Sequence, residues 1–212
     1  MFEYSFVDWD NTVYDTVAFE ADIFAIFAQH GVSEIDTRTA FKKSLCTVSP
    51  YTYDYSFIEH IQFVREMGYA VPEQVEQELN MLFFKDYLFS DTKNFLDFLK
   101  TISKRVILLS AGDKNFQMNK ISNSSISSYF DEIKIVNGEK EKQVVRYGVA
   151  QDVFFVNDNL RENLAVKTAA PSVMMVTKLN IVRNTADEAA QIGVPYFKTL
   201  TEIKQYVKQQ LS

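Results

Sequence analysis

Apolar residues recur along this chain with two different periods. Short continuous runs stand at Phe6-Val7, which follows Tyr4, at Val106-Ile107-Leu108-Leu109, and at residues 133–136, 153–156 and 173–176. Runs of this length predict strands buried on both faces of a parallel sheet. Elsewhere the spacing is helical. Val17, Phe19, Ile23, Phe24, Ile26 and Phe27 share a face that Gly31 can terminate. Ser56 and Glu59 have capping-box spacing ahead of Ile61, Phe63 and Val64, and Met67-Gly68 closes that run. Pro72 opens another with Val75, Leu79, Leu82 and Phe83 on one side, which fades near Ser90-Asp91. Residues 16–89 therefore read as all-helical. Beyond them Phe95, Leu96, Phe98, Leu99 and Ile102 form an amphipathic helix leading into the 106–109 strand, and further helices are predicted near 114–121, 140–147 and 160–169.

Helix and strand alternate from residue 91 onward, an order that builds a parallel sheet with α/β layering. One isolated strand cannot satisfy its backbone hydrogen bonds, so the first strand is expected to join that later sheet. This divides the chain into a core of residues 1–15 and 90–212 and an α-helical cap of residues 16–89 inserted between them. No internal repeat or extended low-complexity tract interrupts this plan.

Composition narrows the class. Of 212 residues, 47% are hydrophobic and 24% charged, which excludes a disordered or fibrous chain. Eighteen Phe and eleven Tyr, against six Gly and four Pro, require a well-packed interior. A formal net charge of −6 without a long basic run argues against nucleic acid or an anionic membrane as partner. No apolar stretch is long enough to cross a bilayer. Cys46 has no second cysteine to pair with, and no secretory-type segment opens the chain, so a cytoplasmic location is expected.

Chemistry concentrates where strands end. Val7-Asp8-Trp9-Asp10-Asn11-Thr12-Val13-Tyr14 puts two carboxylates at the exit of the first strand. Side chains two apart can serve one pocket there, one as nucleophile or metal ligand and the other as proton carrier, although Asx-rich turns have the same composition for local hydrogen-bonding reasons. The 106–109 run is followed by Ser110-Ala111-Gly112-Asp113, which offers a hydroxyl and backbone amides to a phosphoryl oxygen or makes an ordinary helix cap. Val136 is followed by Asn137-Gly138-Glu139-Lys140-Glu141-Lys142, and Val156 by Asn157-Asp158-Asn159, a candidate seat for a hard cation.

Taken in this order, Asp8-Trp9-Asp10-Asn11-Thr12-Val13, Ser110, Lys140 or Lys142, and Asn157-Asp158 resemble the motifs of the haloacid dehalogenase-like hydrolase superfamily. The resemblance runs the length of the chain, and its first motif is the specific part. It implies a Rossmann-like three-layer α/β core with an inserted helical cap. It further implies a Mg²⁺-dependent phosphatase acting on a small phosphorylated metabolite. Asp8 would become an aspartyl-phosphate, and Asp10 would protonate the leaving oxygen and later activate water. Asp8, the Asp10 main-chain carbonyl and Asp158 would hold Mg²⁺. Ser110 and Ala111 would receive the phosphoryl group, Lys140 would balance charge on Asp8 and the phosphate, and Thr12 would steady the loop. The acid at Asp10 favours phosphate esters over carbon–halogen bonds. A phosphomutase, or a phosphate-binding regulatory protein of weak activity, are the alternatives.

The chain departs from the motif pattern at Asn157, where many members carry Asp or Gly. Asn offers a metal less charge. Glu162, four residues beyond Asp158, is either a substitute second acid or a solvent-facing helix residue. Within the insertion, the Tyr51-Thr52-Tyr53-Asp54-Tyr55-Ser56-Phe57 alternation is a candidate pocket wall, with cap packing the simpler role. Lys42, Lys43 and Arg65 are candidate contacts for an anionic substrate or solvated surface. His30, His60 and Cys46 are read as structural or surface residues.

Overall fold

The computed structural model describes residues 1–49, 52–147, 152–180, 182 and 184–212. Its centre is a six-stranded sheet in the order β5-β4-β1-β6-β7-β8, with every neighbouring pair parallel. The strands are β1 (Phe2–Val7), β4 (Ser103–Ala111), β5 (Glu132–Val136), β6 (Val153–Asn157), β7 (Met174–Lys178) and β8 (Tyr196–Phe197). The first strand lies between β4 and β6, with Val7 opposite both Leu108 and Val156. Sequence-distant motifs thereby meet at one sheet edge, where ligands of open α/β sheets bind.

Alternation of side chains along the strands splits the interior into two layers. Val7, Leu108, Phe154 and Val156 point to one face and pack with α5 (Thr92–Ile102) and α10 (Leu200–Leu211) through Leu96, Leu99, Leu200 and Ile203. Phe6, Ile107, Leu109 and Phe155 point to the other and meet Val144 of α7 (Lys140–Tyr147) and Val166 of α8 (Leu160–Ala169). The small β8, α9 (Ala186–Gln191) and α10 lie beyond the elements that the sequence pattern predicts.

The insertion contains α1 (Thr16–Gln29), α2 (Glu34–Ser44), α3 (Phe57–Glu66), α4 (Glu73–Met81) and a short 3₁₀ turn at Leu82–Phe84. Its entry and exit run side by side: Asp15 N donates to the Tyr87 carbonyl, Phe89 N to the Val13 carbonyl, and Thr92 Oγ1 to the same Val13 oxygen. Gly31, at φ 79°, follows the end of α1 in the left-handed conformation that a helix stop needs.

Two expectations for this insertion are corrected. It is not all-helical, because β2 (Cys46–Ser49) and β3 (Thr52–Asp54) form an antiparallel pair. Thr, Val and Tyr at these positions favour extended backbone, and no helical apolar stripe opposes them. Ser56 occupies the N-cap of α3, yet its side chain makes no capping bond, so the Ser56/Glu59 spacing does not form a capping box.

Candidate active site

The ladder between β1 and β6 continues one residue past Val7, since Asp8 N donates to the Val156 carbonyl at 3.0 Å. The chain then turns tightly, with the Trp9 carbonyl accepting from the amides of Thr12, Val13 and Tyr14. Asn11 adopts φ 58°, a left-handed conformation that Asn tolerates better than most side chains. This turn aims Asp8 and Asp10 into a cavity of about 390 Å³ between the sheet edge and the insertion.

Asp8 is buried, with Oδ2 accepting from Thr12 Oγ1 at 2.9 Å and Oδ1 from Lys140 Nζ at 2.6 Å. Gly138 at φ 85° and Glu139 at φ 58° turn the chain after β5, so that Lys140, the first residue of α7, reaches back to β1. Its ammonium also meets Glu162 Oε2 at 2.8 Å, and that oxygen accepts from Asn157 Nδ2 at 2.8 Å. Thr12, Asp8, Lys140, Glu162 and Asn157 thus form one buried network. Burial pushes the Asp8 carboxyl up; Lys140 draws it back and the Glu162 charge pushes it up again, leaving it at about 6. The Lys140 ammonium loses stability by burial but gains more from its two carboxylates, so its pKa is raised.

Asp10 has the opposite environment. Oδ1 accepts from Thr16 Oγ1 at 2.6 Å and Lys120 Nζ at 2.5 Å, while Oδ2 accepts from Gln117 Nε2 at 2.7 Å. Lys120, 3% exposed, sits over the rings of Tyr14, Phe116 and Phe19 at 5.1, 5.6 and 5.8 Å. Those ring faces help hold an ammonium away from water. Burial raises the Asp10 carboxyl, but the Lys120 charge and the three donors outweigh it and hold the group below its ordinary value.

Ser110, at the end of β4, has a buried hydroxyl with no hydrogen-bond partner among the described residues, as has the nitrogen of the Asn11 side-chain amide. Unsatisfied donors at a strand-exit cavity are costly unless a ligand or water completes them. Asp158, at the exit of β6, is buried and lines the same cavity.

No family model matches the sequence, and no curated protein is similar to it. Solved structures do resemble the whole chain. A candidate haloacid dehalogenase-like hydrolase from Burkholderia xenovorans LB400 superposes with TM-score 0.72 at 18% identity, covering 96% of this chain and 98% of that one. A haloacid dehalogenase family hydrolase from Deinococcus radiodurans R1, with bound phosphate and sodium, gives 0.66 at 12% identity, covering 98% and 96%. A candidate hydrolase of that family from Bacillus subtilis, bound to magnesium, gives 0.61 at 13% identity, covering 97% and 98%. The fold is the haloacid dehalogenase-like one.

Within that fold, Asp8, Asp10, Ala111, Lys140 and Asp158 line one cavity, and Ser110 stands beside them on β4. The two motif lysines separate cleanly: Lys140 is buried against Asp8, whereas Lys142 is 66% exposed and pairs with Glu139. Glu162 does not face solvent; it shares Lys140 with Asp8. Asn157 directs its amide to Glu162 and its main-chain oxygen to Asn163 Nδ2, which ties β6 to α8.

Of the insertion residues, Tyr53 and Tyr55 line the cavity, and Tyr51 lies outside the described residues. Lys42 and Lys43 are exposed, and Arg65 caps the Val71 carbonyl through Nε and Nη2 at 3.2 and 2.8 Å. His60 is fully buried. Its Nε2 donates to the Thr37 carbonyl, which leaves Nδ1 to accept from the Tyr55 hydroxyl. Burial lowers its pKa to about 4, so it stays neutral near pH 7. His30 pairs with Glu78, and Cys46 is exposed.

Sequence reasoning missed Thr16, Gln117, Lys120 and Lys178. Lys178 is buried at the end of β7, where its ammonium donates to the Asn11 carbonyl at 3.1 Å and lies 3.6 Å from the Phe89 ring centre. The one available signal was polar residues three apart, Gln117 and Lys120, on α6 (Lys114–Ser122), directly after the Ser110 turn.

Proposed function

We propose that this protein hydrolyses small phosphomonoesters through an aspartyl-phosphate formed on Asp8. The carrying observation is the Asp8 carboxylate, held by Lys140 and Thr12 at the sheet edge and facing a cavity, beside a Ser110 hydroxyl that has no partner among the described residues. An Asp8 oxygen would attack phosphorus as the ester oxygen departs. Lys140 would offset the charge gathered by nucleophile and phosphoryl group, while Ser110 and the Ala111 backbone would bind phosphoryl oxygens. Water would then attack the aspartyl-phosphate, with Asp10 taking its proton, to release phosphate and restore Asp8. Residues 16–89 would act as a cap domain that excludes bulk water.

The donors at the cavity suit Mg²⁺. Among the described residues, no three acidic, imidazole or thiol side chains are gathered to hold a metal by themselves. Mg²⁺ needs fewer, since it commonly binds one or two carboxylates and completes its shell with water and substrate phosphate. Asp8, Asp158 and the Asp10 main-chain oxygen supply such a hard-oxygen set. When bound, the cation would lessen repulsion between an anionic nucleophile and an anionic ester.

A second reading, a phosphate-binding protein with little turnover, is favoured by the clamp on Asp10, because a carboxylate held ionised has no proton for a leaving oxygen. Phosphate release from a phosphomonoester, with Mg²⁺ and with a chelator, separates the two. Metal-dependent release that disappears in Asp8→Asn is expected. Phosphate binding without release by the unmodified protein would instead establish the second reading.

A further inference from the structure

Lys178 is a buried cation for which the hydrolytic scheme has no task. It closes β7, and its side chain reaches past β6 to the turn that follows β1. There Nζ donates to the Asn11 carbonyl at 3.1 Å and stands 3.6 Å from the centre of the Phe89 ring. Carboxylate charges, that of Asp158 foremost, favour the ammonium, while its described hydrogen bond and ring contact are to neutral groups. Taking an ammonium out of water is costly, and neutral partners offset that less than an ion pair does. A Met of similar length would pack at this place without the cost. Packing therefore gives no reason for a charge here, and the Asn11 carbonyl does.

That bond acts on the turn that carries Asp8 and Asp10. Asn11 is left-handed at φ 58°, and its main chain is held on both sides: N donates to the Tyr14 carbonyl at 2.7 Å, and the carbonyl accepts from Lys178. The same carbonyl shares one rigid peptide plane with the Thr12 N–H, which donates to the Trp9 carbonyl at 3.3 Å. Thr12 Oγ1 in turn donates to Asp8 Oδ2 at 2.9 Å. Fixing the Asn11 oxygen thus fixes the plane from which Thr12 reaches Asp8. Phe89 belongs to the link by which the chain leaves the insertion, and its N donates to the Val13 carbonyl at 3.2 Å. One ammonium therefore rests on both the turn and that link.

We propose that Lys178 is a positioning residue for the nucleophile: by holding the Asn11 carbonyl it sets Thr12, and through Thr12 the Asp8 oxygen. This rests on the hydrolytic reading above and adds a residue outside its reacting set. A reacting group displaced by about 1 Å can lose on the order of 10²-fold in rate. The loss belongs to attack on phosphorus, which kcat/KM reports.

The test compares Lys178→Met, Lys178→Arg, Thr12→Val and the double variant Lys178→Met, Thr12→Val, with phenyl phosphate and Mg²⁺. For Lys178→Met, kcat/KM is expected to fall at least about tenfold, with inhibition by inorganic phosphate little changed and circular dichroism showing the fold retained. Lys178→Arg, which keeps a charged donor, should recover part of the loss. Because Lys178 works through Thr12, the double variant should lose less than the product of the two single losses. In the metal-free protein at fixed pH, the Asp8 carboxyl ¹³C signal should move in Lys178→Met as it does in Thr12→Val, with no further displacement in the double variant; this reading needs no turnover. Unchanged kcat/KM, losses that multiply in full, or an unmoved Asp8 signal each overturn the positioning role while leaving hydrolysis standing. No phosphate release by the unmodified protein overturns hydrolysis, and the carbon signal alone then decides whether Lys178 sets Asp8. If Lys178→Met does not fold, Lys178→Gln, which is uncharged and ends one bond short of the ammonium, takes its place in each comparison.

Discussion

Asp8 and Asp10 are two residues apart, both border the same cavity, and each meets a buried lysine, yet their carboxyls are displaced in opposite directions. The difference lies in what else each lysine touches. Lys140 is divided between Asp8 and Glu162, so Asp8 gains half a counter-ion and a repelling neighbour. Lys120 has no second carboxylate among the bonds described; its other neighbours are ring faces, and Thr16 and Gln117 add donors to Asp10. Two chemically identical groups thereby differ, the Asp8 charge raised in energy and the Asp10 charge stabilised, which under the proposed function suits the first as nucleophile and the second as base. Unequal environments are the means by which paired carboxylates take different roles.

The strongest test of this contrast is Asp8→Asn, which is expected to reduce metal-dependent phosphate release to background while the circular dichroism spectrum shows the fold retained. Full activity in that variant would remove the nucleophile assignment. Asp10→Asn should act later in the cycle. Release is expected to fall by about 10²–10⁴-fold, with a phosphorylated protein accumulating on an aryl ester; intact-mass spectrometry would detect it.

Lys120→Met sharpens the comparison from the other side. Asp10 would retain Thr16 and Gln117 but lose its counter-ion, so its pKa should rise and alkyl esters should gain relative to aryl esters. The lost pair should cost about 1–3 kcal/mol of stability in urea unfolding. An unchanged alkyl-to-aryl ratio would show that Lys120 does not govern Asp10.

The smallest effect is expected for Glu162→Gln. In the metal-free protein Asp8 titrates at about 6, above its ordinary value of 3.8, so the folded state holds a proton there that the unfolded chain has lost. That contribution to stability is present in full below the ordinary value and disappears as pH rises through about 6. Nucleophilic capacity runs the other way and declines as pH falls through the same range. Removing the Glu162 charge should lower the Asp8 pKa, and Mg²⁺ should lower it too. Carboxyl ¹³C chemical shifts of labelled aspartate, followed against pH with Asp8→Asn to assign the signal, would show either displacement.

The motif carboxylates were legible because each follows an apolar run that must be a strand, and parallel strands present their exits along one edge. Asp8, Ser110, Lys140 and Asp158 all stand at such exits or one short turn beyond. Lys140 could be preferred to Lys142 from helical spacing with Val144 and Val145; Lys140 and Val144 are buried as that spacing implies, whereas Val145 is exposed. The β2–β3 pair was hidden because its strands are 4 and 3 residues long, too short for the extended preference of Thr, Val and Tyr to show as a periodic pattern. The Asp10 clamp was hidden for a different reason. Gln117 and Lys120 lie 107 and 110 residues from Asp10, and a Lys on a helix ordinarily faces water.

The chain's own order of residues therefore determined the alternation of strands and helices, the parallel sheet and the placing of reactive groups at its edge, since burial of period-two and period-3.6 patterns admits few other arrangements. Tertiary structure alone decided that Lys120 meets Asp10, that Glu162 turns inward, and that the rings of Phe19, Phe41, Tyr53, Tyr55 and Phe116 line the cavity together. Those outcomes depend on distances between segments far apart in the chain, and electrostatic energies depend on such distances and on burial, neither of which a local pattern encodes.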